Sequence, residues 1–189
     1  YSSAAVEAWN CIRGLDYLET LDFVDKNRFG VTGRSGGGAY SWWISVLDER
    51  IKVSCPVAGI ADLKNHVYAG FPGSGRLAHG TVEGHCDCMF HVNTYQWDFG
   101  QVAALVAPRP LMILNTDDDR IFPLDGVNRI FNQVRHIYDL HGARDKLGLV
   151  INPGGHKDTQ PLRVPAFNWF NRHLKGEEPP ITIAAEKLF

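Results

Sequence analysis

The stretch Arg28-Phe29-Gly30-Val31-Thr32-Gly33-Arg34-Ser35-Gly36-Gly37-Gly38-Ala39 decides the fold. Residues 28–32 read as a short buried strand, and residues 39–47 read as a helix. Between them lies Gly33-x-Ser35-x-Gly37. A serine on a sharp strand-to-helix turn projects its hydroxyl above the edge of a sheet. Such a turn is crowded and needs small neighbours, which Gly36, Gly37 and Gly38 supply. The helix N-terminus points free N–H groups at the same place. The Gly36 N–H is then available to an oxyanion, a large catalytic contribution in acyl transfer. Two other glycine-rich readings fail. A dinucleotide fingerprint needs glycine where Ser35 stands, and a phosphate loop needs a Gly-Lys-Ser/Thr ending that is absent.

The pattern on both sides of the turn alternates. Ala4, Ala8, Ile12, Leu15 and Leu18 recur at helical spacing, with Ser2 or Ser3 as N-cap. Residues 51–58, 110–114 and 147–151 are apolar runs that read as strands. Residues 94–105, 127–137 and 162–174 read as helices, the last ending near Gly176. Strands that are continuously apolar, separated by helices, predict a mostly parallel sheet with helices on both faces. Residues 1–189 then form a single α/β domain. Residues 60–92 show no clear period, are rich in Gly and His, and are expected to be a lid or substrate-side loop.

The bulk composition narrows the classes. With 189 residues, 19 Lys+Arg and 21 Asp+Glu give a net charge of -2, which argues against nucleic-acid binding or a basic membrane surface. No apolar run approaches the ~20 residues that span a bilayer. Four cysteines are too few for a disulfide-stapled miniature fold, and pairing among Cys11, Cys55, Cys86 and Cys88 stays open.

A serine becomes a useful nucleophile only with a base that an acid orients. On a strand–elbow–helix fold the chain order is Ser, then Asp or Glu, then His. Strand 110–114 is followed by Asn115-Thr116-Asp117-Asp118-Asp119-Arg120-Ile121-Phe122-Pro123. Strand 147–151 is followed by Asn152-Pro153-Gly154-Gly155-His156. Both partners fall at the carboxyl ends of strands, where open α/β sheets place their sites. Asp119 is preferred as the acid, with Asp117 and Asp118 as alternatives. His156 is preferred over seven other histidines because it follows the last strand, directly after Gly154-Gly155. No cofactor is needed for this chemistry.

The run Val24-Asp25-x-x-Arg28-Phe29-Gly30-Val31-x-Gly33-x-Ser35-x-Gly37-Gly38 resembles α/β-hydrolase esterases of the acetyl xylan esterase and prolyl-oligopeptidase-like group. So do Ala107-Pro108-Arg109-Pro110-Leu111, Asp119 and His156-x-Asp158. The resemblance implies Ser35 as nucleophile, His156 as base, Asp119 as orienting acid and Gly36 as oxyanion donor. It implies a small-molecule or polysaccharide ester substrate, such as acetylated xylan, and an exported protein. In that group the elbow follows about the fifth of eight strands. Here it follows the first visible one, so the expectation is a C-terminal part of the fold, with a second oxyanion donor outside this chain. A prolyl-oligopeptidase-like peptidase and an inactive scaffold are the rival readings. Glucuronoyl esterases are similar too, but place Arg directly after the nucleophile, where this chain has Gly36.

Three further features bear on ligands. His85-Cys86-Asp87-Cys88-x-x-His91 lacks the second ligand pair usual for structural zinc, so no metal site is expected. Trp42 and Trp43 point about 100° apart on a helix, so at least one belongs to the core. Trp97 is the better substrate wall, and Arg34, beside the nucleophile, is a candidate for holding a carboxylate or carbonyl.

Overall fold

The computed structural model describes residues 2–68, 93–176 and 179–183, apart from the side chains of Val67 and Tyr68. The expected lid is therefore described only at its two ends, and the His85–His91 cluster lies outside the described residues.

Four parallel strands make the sheet: β1 (Phe29–Arg34), β2 (Ile51–Val57), β3 (Leu111–Thr116) and β4 (Leu147–Asn152). Their spatial order is their chain order. Each crossover thus steps in the same direction, and right-handed crossovers then place every connecting helix on one face. The packing agrees. Helix α2 (Gly36–Leu47), α4 (Phe99–Ala104) and α5 (Leu124–Leu140) share one apolar core through Trp42, Phe99, Val102, Ile130, Val134 and Tyr138. Helix α1 (Ser3–Leu18) joins that face beside β1, with Leu15 against Phe29, Ile44 and Ile51. Helix α6 (Gln160–Phe170) covers the other face, through Leu162, Ala166 and Trp169.

Strand β3 explains the unbroken apolar run in the sequence. Leu111 and Ile113 point into the α4–α5 core, while Met112 and Leu114 point into the α6 core. All six of its residues are buried. Complete burial of each large apolar side chain contributes about 1.5–3 kcal/mol, so the pattern that marks β3 also anchors the sheet. Strand β1 is different: Gly30, Thr32 and Arg34 are exposed, because α6 lies mainly over β2, β3 and β4.

The boundaries move in instructive ways. Helix α1 starts immediately after Ser2, whose hydroxyl accepts from the Ala5 N–H. Helix α2 starts at Gly36, immediately after the serine, and not at Ala39. The helix expected over 94–105 spans only Phe99–Ala104. Asp98 and Gln101 form a capping box that fixes its start, and Gln96, at φ 56°, cannot continue a helix upstream. A short helix, α3 (Leu63–Tyr68), was not visible in the sequence. It is held by one local and one tertiary hydrogen bond: Asp62, just before it, accepts from the Asn65 N–H at 3.0 Å, and Asp98 accepts from the Leu63 N–H at 3.0 Å. The C-terminal helix widens to a π turn over Asn171–Lys175 and stops at Gly176, whose φ is 87°.

No helix among the described residues is long and apolar enough to cross a membrane.

Candidate active site

Ser35 sits at φ 60° and ψ -119°, a strained combination for a residue with a Cβ. The surroundings impose it. Its N–H donates to the Val57 carbonyl at 3.0 Å, and its carbonyl accepts from the Ala39 N–H at 2.9 Å. The serine is thus pinned between strand β2 and the first turn of α2. Close backbone contacts explain two of the glycines. A Cβ on Gly33 would lie 2.6 Å from the Gly37 carbonyl carbon, and one on Gly38 would lie 2.5 Å from the Val57 oxygen. Gly37 differs from the expectation, since a Cβ there would meet nothing within 4 Å. The crowding comes from the approach of β1 and β2 to the helix, not from every glycine in the motif. Gly36 opens α2, so its N–H has no acceptor within the helix.

Asp119 is buried, at 3% exposure, whereas Asp117 and Asp118 are exposed. Its Oδ1 accepts from the backbone N–H groups of Ile121 at 2.9 Å and Phe122 at 3.0 Å. Its Oδ2 lies 2.9 Å from Nδ1 of His156. Of the three aspartates, this one alone is shown touching a histidine ring. The Phe122 ring stacks on the imidazole, with centroids 5.8 Å apart and planes 20° apart. His66 packs edge-on against Phe122 in turn, at 5.6 Å. Among the described residues the structure gives no direct hydrogen bond between Ser35 and His156. The serine, the aspartate and the histidine all stand beyond the carboxyl ends of their strands, on one edge of the sheet.

The loops that carry Asp119 and His156 are tied together. Asp117 N–H donates to the Asn152 carbonyl at 3.0 Å, and Asp118 N–H to the Gly154 carbonyl at 2.9 Å. The Asp117 carboxylate accepts from the Gly154 N–H at 2.9 Å, and the Thr116 hydroxyl donates to the Gly155 carbonyl at 2.8 Å. Asn115 closes the acid loop by donating to the Thr116 and Phe122 carbonyls, each at 3.0 Å. These supports were missed in the sequence. The three consecutive aspartates give the only signal; it singles out Asp119 as the preferred acid but does not show that Asp117 ties the two loops.

A charged cluster braces the same edge. Arg129 on α5 binds Asp62, donates to Asp125 at 2.8 Å and to the Asn65 side chain at 3.0 Å. Burial pushes the Asp62 carboxyl up, but its hydrogen bonds from Arg129 and the Asn65 N–H outweigh that and hold it below the usual carboxylate range.

Arg34 is exposed, and its side chain makes no hydrogen bond or ion pair among the described residues. Trp42 is fully buried, with its indole N–H on the Gly59 carbonyl at 3.0 Å, and Trp43 stacks on it at 4.6 Å. Both therefore belong to the packing of α2. Trp97 is 45% exposed and stacks on Tyr95. A cavity of about 900 Å³ opens between α4 and α5, lined by Gln101, Leu105, Gln133 and His136 among others. None of Ser35, Asp119 or His156 lines it. Cys11 and Cys55 are free thiols, and burial pushes both up.

Known proteins resemble this chain in sequence and in fold. The chain is 29% identical over 168 residues to YtaP of Bacillus subtilis (strain 168), a hydrolase by name; the match spans 88% of this chain and 52% of YtaP. It is 24% identical to a 4-O-methyl-glucuronoyl methylesterase of Phanerochaete carnosa (strain HHB-10118-sp), over 96% of this chain and 49% of that protein. Among solved structures, a carbohydrate esterase family 15 glucuronoyl esterase from Caldicellulosiruptor kristjansonii superposes with a TM-score of 0.77 at 22% identity. That match covers 100% of this chain and 55% of the esterase. A glucuronoyl esterase from Sporotrichum thermophile gives 0.72 at 22%, covering 100% and 56%. The chain thus spans about half the length of the curated relatives it matches. The structural likeness shows the α/β-hydrolase fold. Residues 3–156, from the start of α1 to the histidine itself, match the family described as the Prolyl oligopeptidase family, and the chain belongs to it.

Proposed function

We propose that this chain carries the catalytic centre of a serine hydrolase that cleaves carboxylic esters of carbohydrates through an acyl-enzyme. The observation that carries the reading is the contact of buried Asp119 with half-buried His156 on the sheet edge where Ser35 is held in a strained elbow. Asp119 already holds two backbone donors on one oxygen, so the other is left for an imidazole N–H. That assigns the Nδ1–H tautomer to His156 and leaves Nε2 free as a base.

In this reading Nε2 takes the Ser35 proton as Oγ attacks the ester carbonyl. Asp119 stabilises the imidazolium that forms. The Gly36 N–H, with a second donor, stabilises the tetrahedral oxyanion. His156 then gives its proton to the leaving alcohol. Water repeats the sequence and frees the acid and Ser35.

The carbohydrate class rests on the esterases that share the fold and on resemblance. Those relatives are glucuronoyl esterases, which lends acetyl xylan no support over a uronic-acid ester. The family description favours a peptidase as the second reading. The test is hydrolysis of three probes by this chain and by the full product of its gene: the methyl ester of 4-O-methylglucuronic acid, acetylated xylo-oligosaccharides and a prolyl peptide amide. Cleavage of either sugar ester, lost in Ser35→Ala, supports the proposal. Cleavage of the peptide alone, or of none, overturns it.

A further inference from the structure

Tyr95 and Trp97 stand together on the turn that leads into α4. Their rings stack with centroids 5.6 Å apart and planes 25° apart, yet they are 78% and 45% exposed. Other aromatic side chains, such as Phe23 and Tyr17, are exposed too, but these two stack on each other, and a contiguous exposed apolar patch is a feature of binding surfaces. The turn is also built to hold them. Asn93 donates from its side-chain amide to the Trp97 carbonyl and accepts from the Trp97 N–H, both at 2.8 Å. Gln96, between the two rings, is at φ 56°, a conformation that costs a side-chain-bearing residue energy. Its φ turns the chain so that residues 95 and 97 present neighbouring faces. Asp98 then fastens the turn to the body by accepting from the Leu63 and Phe99 N–H groups at 3.0 and 2.6 Å. Leu63 starts α3, a short way beyond the carboxyl end of β2, so the pair lies towards the sheet edge that carries Ser35 and His156.

We infer that Tyr95 and Trp97 form a rigid aromatic platform that binds a pyranose ring of a neutral oligosaccharide. The chemistry of the segment Asn93-Thr94-Tyr95-Gln96-Trp97-Asp98 selects that class. It offers flat apolar faces for the C–H face of a sugar, and exposed Thr94 and Gln96 for its hydroxyls. It contains no Lys or Arg that would favour an anionic ligand. This deepens the carbohydrate-ester reading by assigning the rings that hold the sugar, and rests on that reading only for the ligand's role as substrate.

The test uses unesterified xylohexaose, which needs no catalysis. Calorimetry and affinity electrophoresis in xylan gels are run on the parent, Trp97→Ala, Trp97→Phe and Tyr95→Ala in the full chain, with circular dichroism to check folding. The expected result is saturable binding by the parent, weakened about tenfold or more by Trp97→Ala and Tyr95→Ala and partly restored by Trp97→Phe. No binding by the parent to xylohexaose, cellohexaose or mannohexaose, or equal binding by parent and a folded Trp97→Ala, would overturn the platform. The outcomes separate from those of the catalytic reading. Oligosaccharide binding through Trp97 without ester hydrolysis leaves the platform standing and removes the esterase. Hydrolysis without oligosaccharide binding does the reverse.

Discussion

Asp119→Asn is the perturbation that isolates the role of the Asp119–His156 pair. Asparagine matches aspartate in shape, so the loop keeps its fold. Its orientation is dictated by the structure. The Ile121 and Phe122 N–H groups both point at Oδ1, so the carbonyl oxygen of the new amide must stay there. The amide NH₂ is then forced onto His156 Nδ1, which lies 2.9 Å from the present Oδ2. A donor facing Nδ1 requires the imidazole to carry its proton on Nε2. The atom that should accept the Ser35 proton would instead hold one. Loss of the correct tautomer in Ser-His-Asp hydrolases costs on the order of 10⁴ in kcat, or about 5 kcal/mol of barrier. Side-chain burial and both backbone hydrogen bonds persist, so the melting temperature should move by only a few degrees. The assay is steady-state hydrolysis of an activated ester beside thermal denaturation. A variant that keeps more than a tenth of the parent kcat would refute the tautomer argument. So would one that loses activity only because it has unfolded.

Other outcomes follow from the same contacts. Asp117 meets the Gly154 N–H through an acceptor oxygen, which asparagine also has. Asp117→Asn should hold kcat within about twofold, whereas Asp117→Ala, losing a bond worth about 0.5–1.5 kcal/mol, should lower it by about 2–12-fold; equal effects of the two would exclude the clasp. Gly38→Ala forces a methyl onto the Val57 carbonyl and should cost about 1–3 kcal/mol, about 2–12 °C in melting temperature. Gly37→Ala has open space and should gain up to about 1 kcal/mol of helix propensity, so a large loss there would contradict the stated packing. Arg129 holds the Asp62 carboxyl below its ordinary value. A carboxylate so depressed stabilises the fold above the unfolded value of about 3.9, and that share is lost as pH falls through the lower folded value. Arg129→Met should therefore lower stability at pH 7 and shallow its loss in the acid range; a parallel shift at all pH values would count against the ion pair.

The legible parts of this molecule are those governed by local rules. Strand β3 announced itself because it is buried on both faces, and the elbow because Gly33, Ser35 and Gly38 answer to backbone crowding in one turn. Asp119 follows β3 and His156 follows β4, the positions the proposed triad requires. What could not be read depends on contacts between distant segments. Helix α3 is fastened by Asp98, which receives the Leu63 N–H from 35 residues along the chain. The helix expected over 94–105 begins only at Phe99, and the positive φ at Gln96 that keeps Tyr95 and Trp97 out of it has no sequence signature. Likewise Trp43 stacks on Trp42, with centroids 4.6 Å apart, despite their angular offset on the helix. Of the three aspartates the sequence prefers Asp119, and its burial, its two backbone donors and its contact with His156 set it apart in the structure.

The most direct test of the central claim is whether Ser35 is an activated nucleophile. This chain, and the full product of its gene, would be treated with a fluorophosphonate probe and the adduct mapped by peptide mass spectrometry, beside His156→Ala. The account predicts an adduct on Ser35 in the parent and its loss in the variant. A folded parent with no adduct on Ser35, or labelling that survives removal of His156, would contradict it.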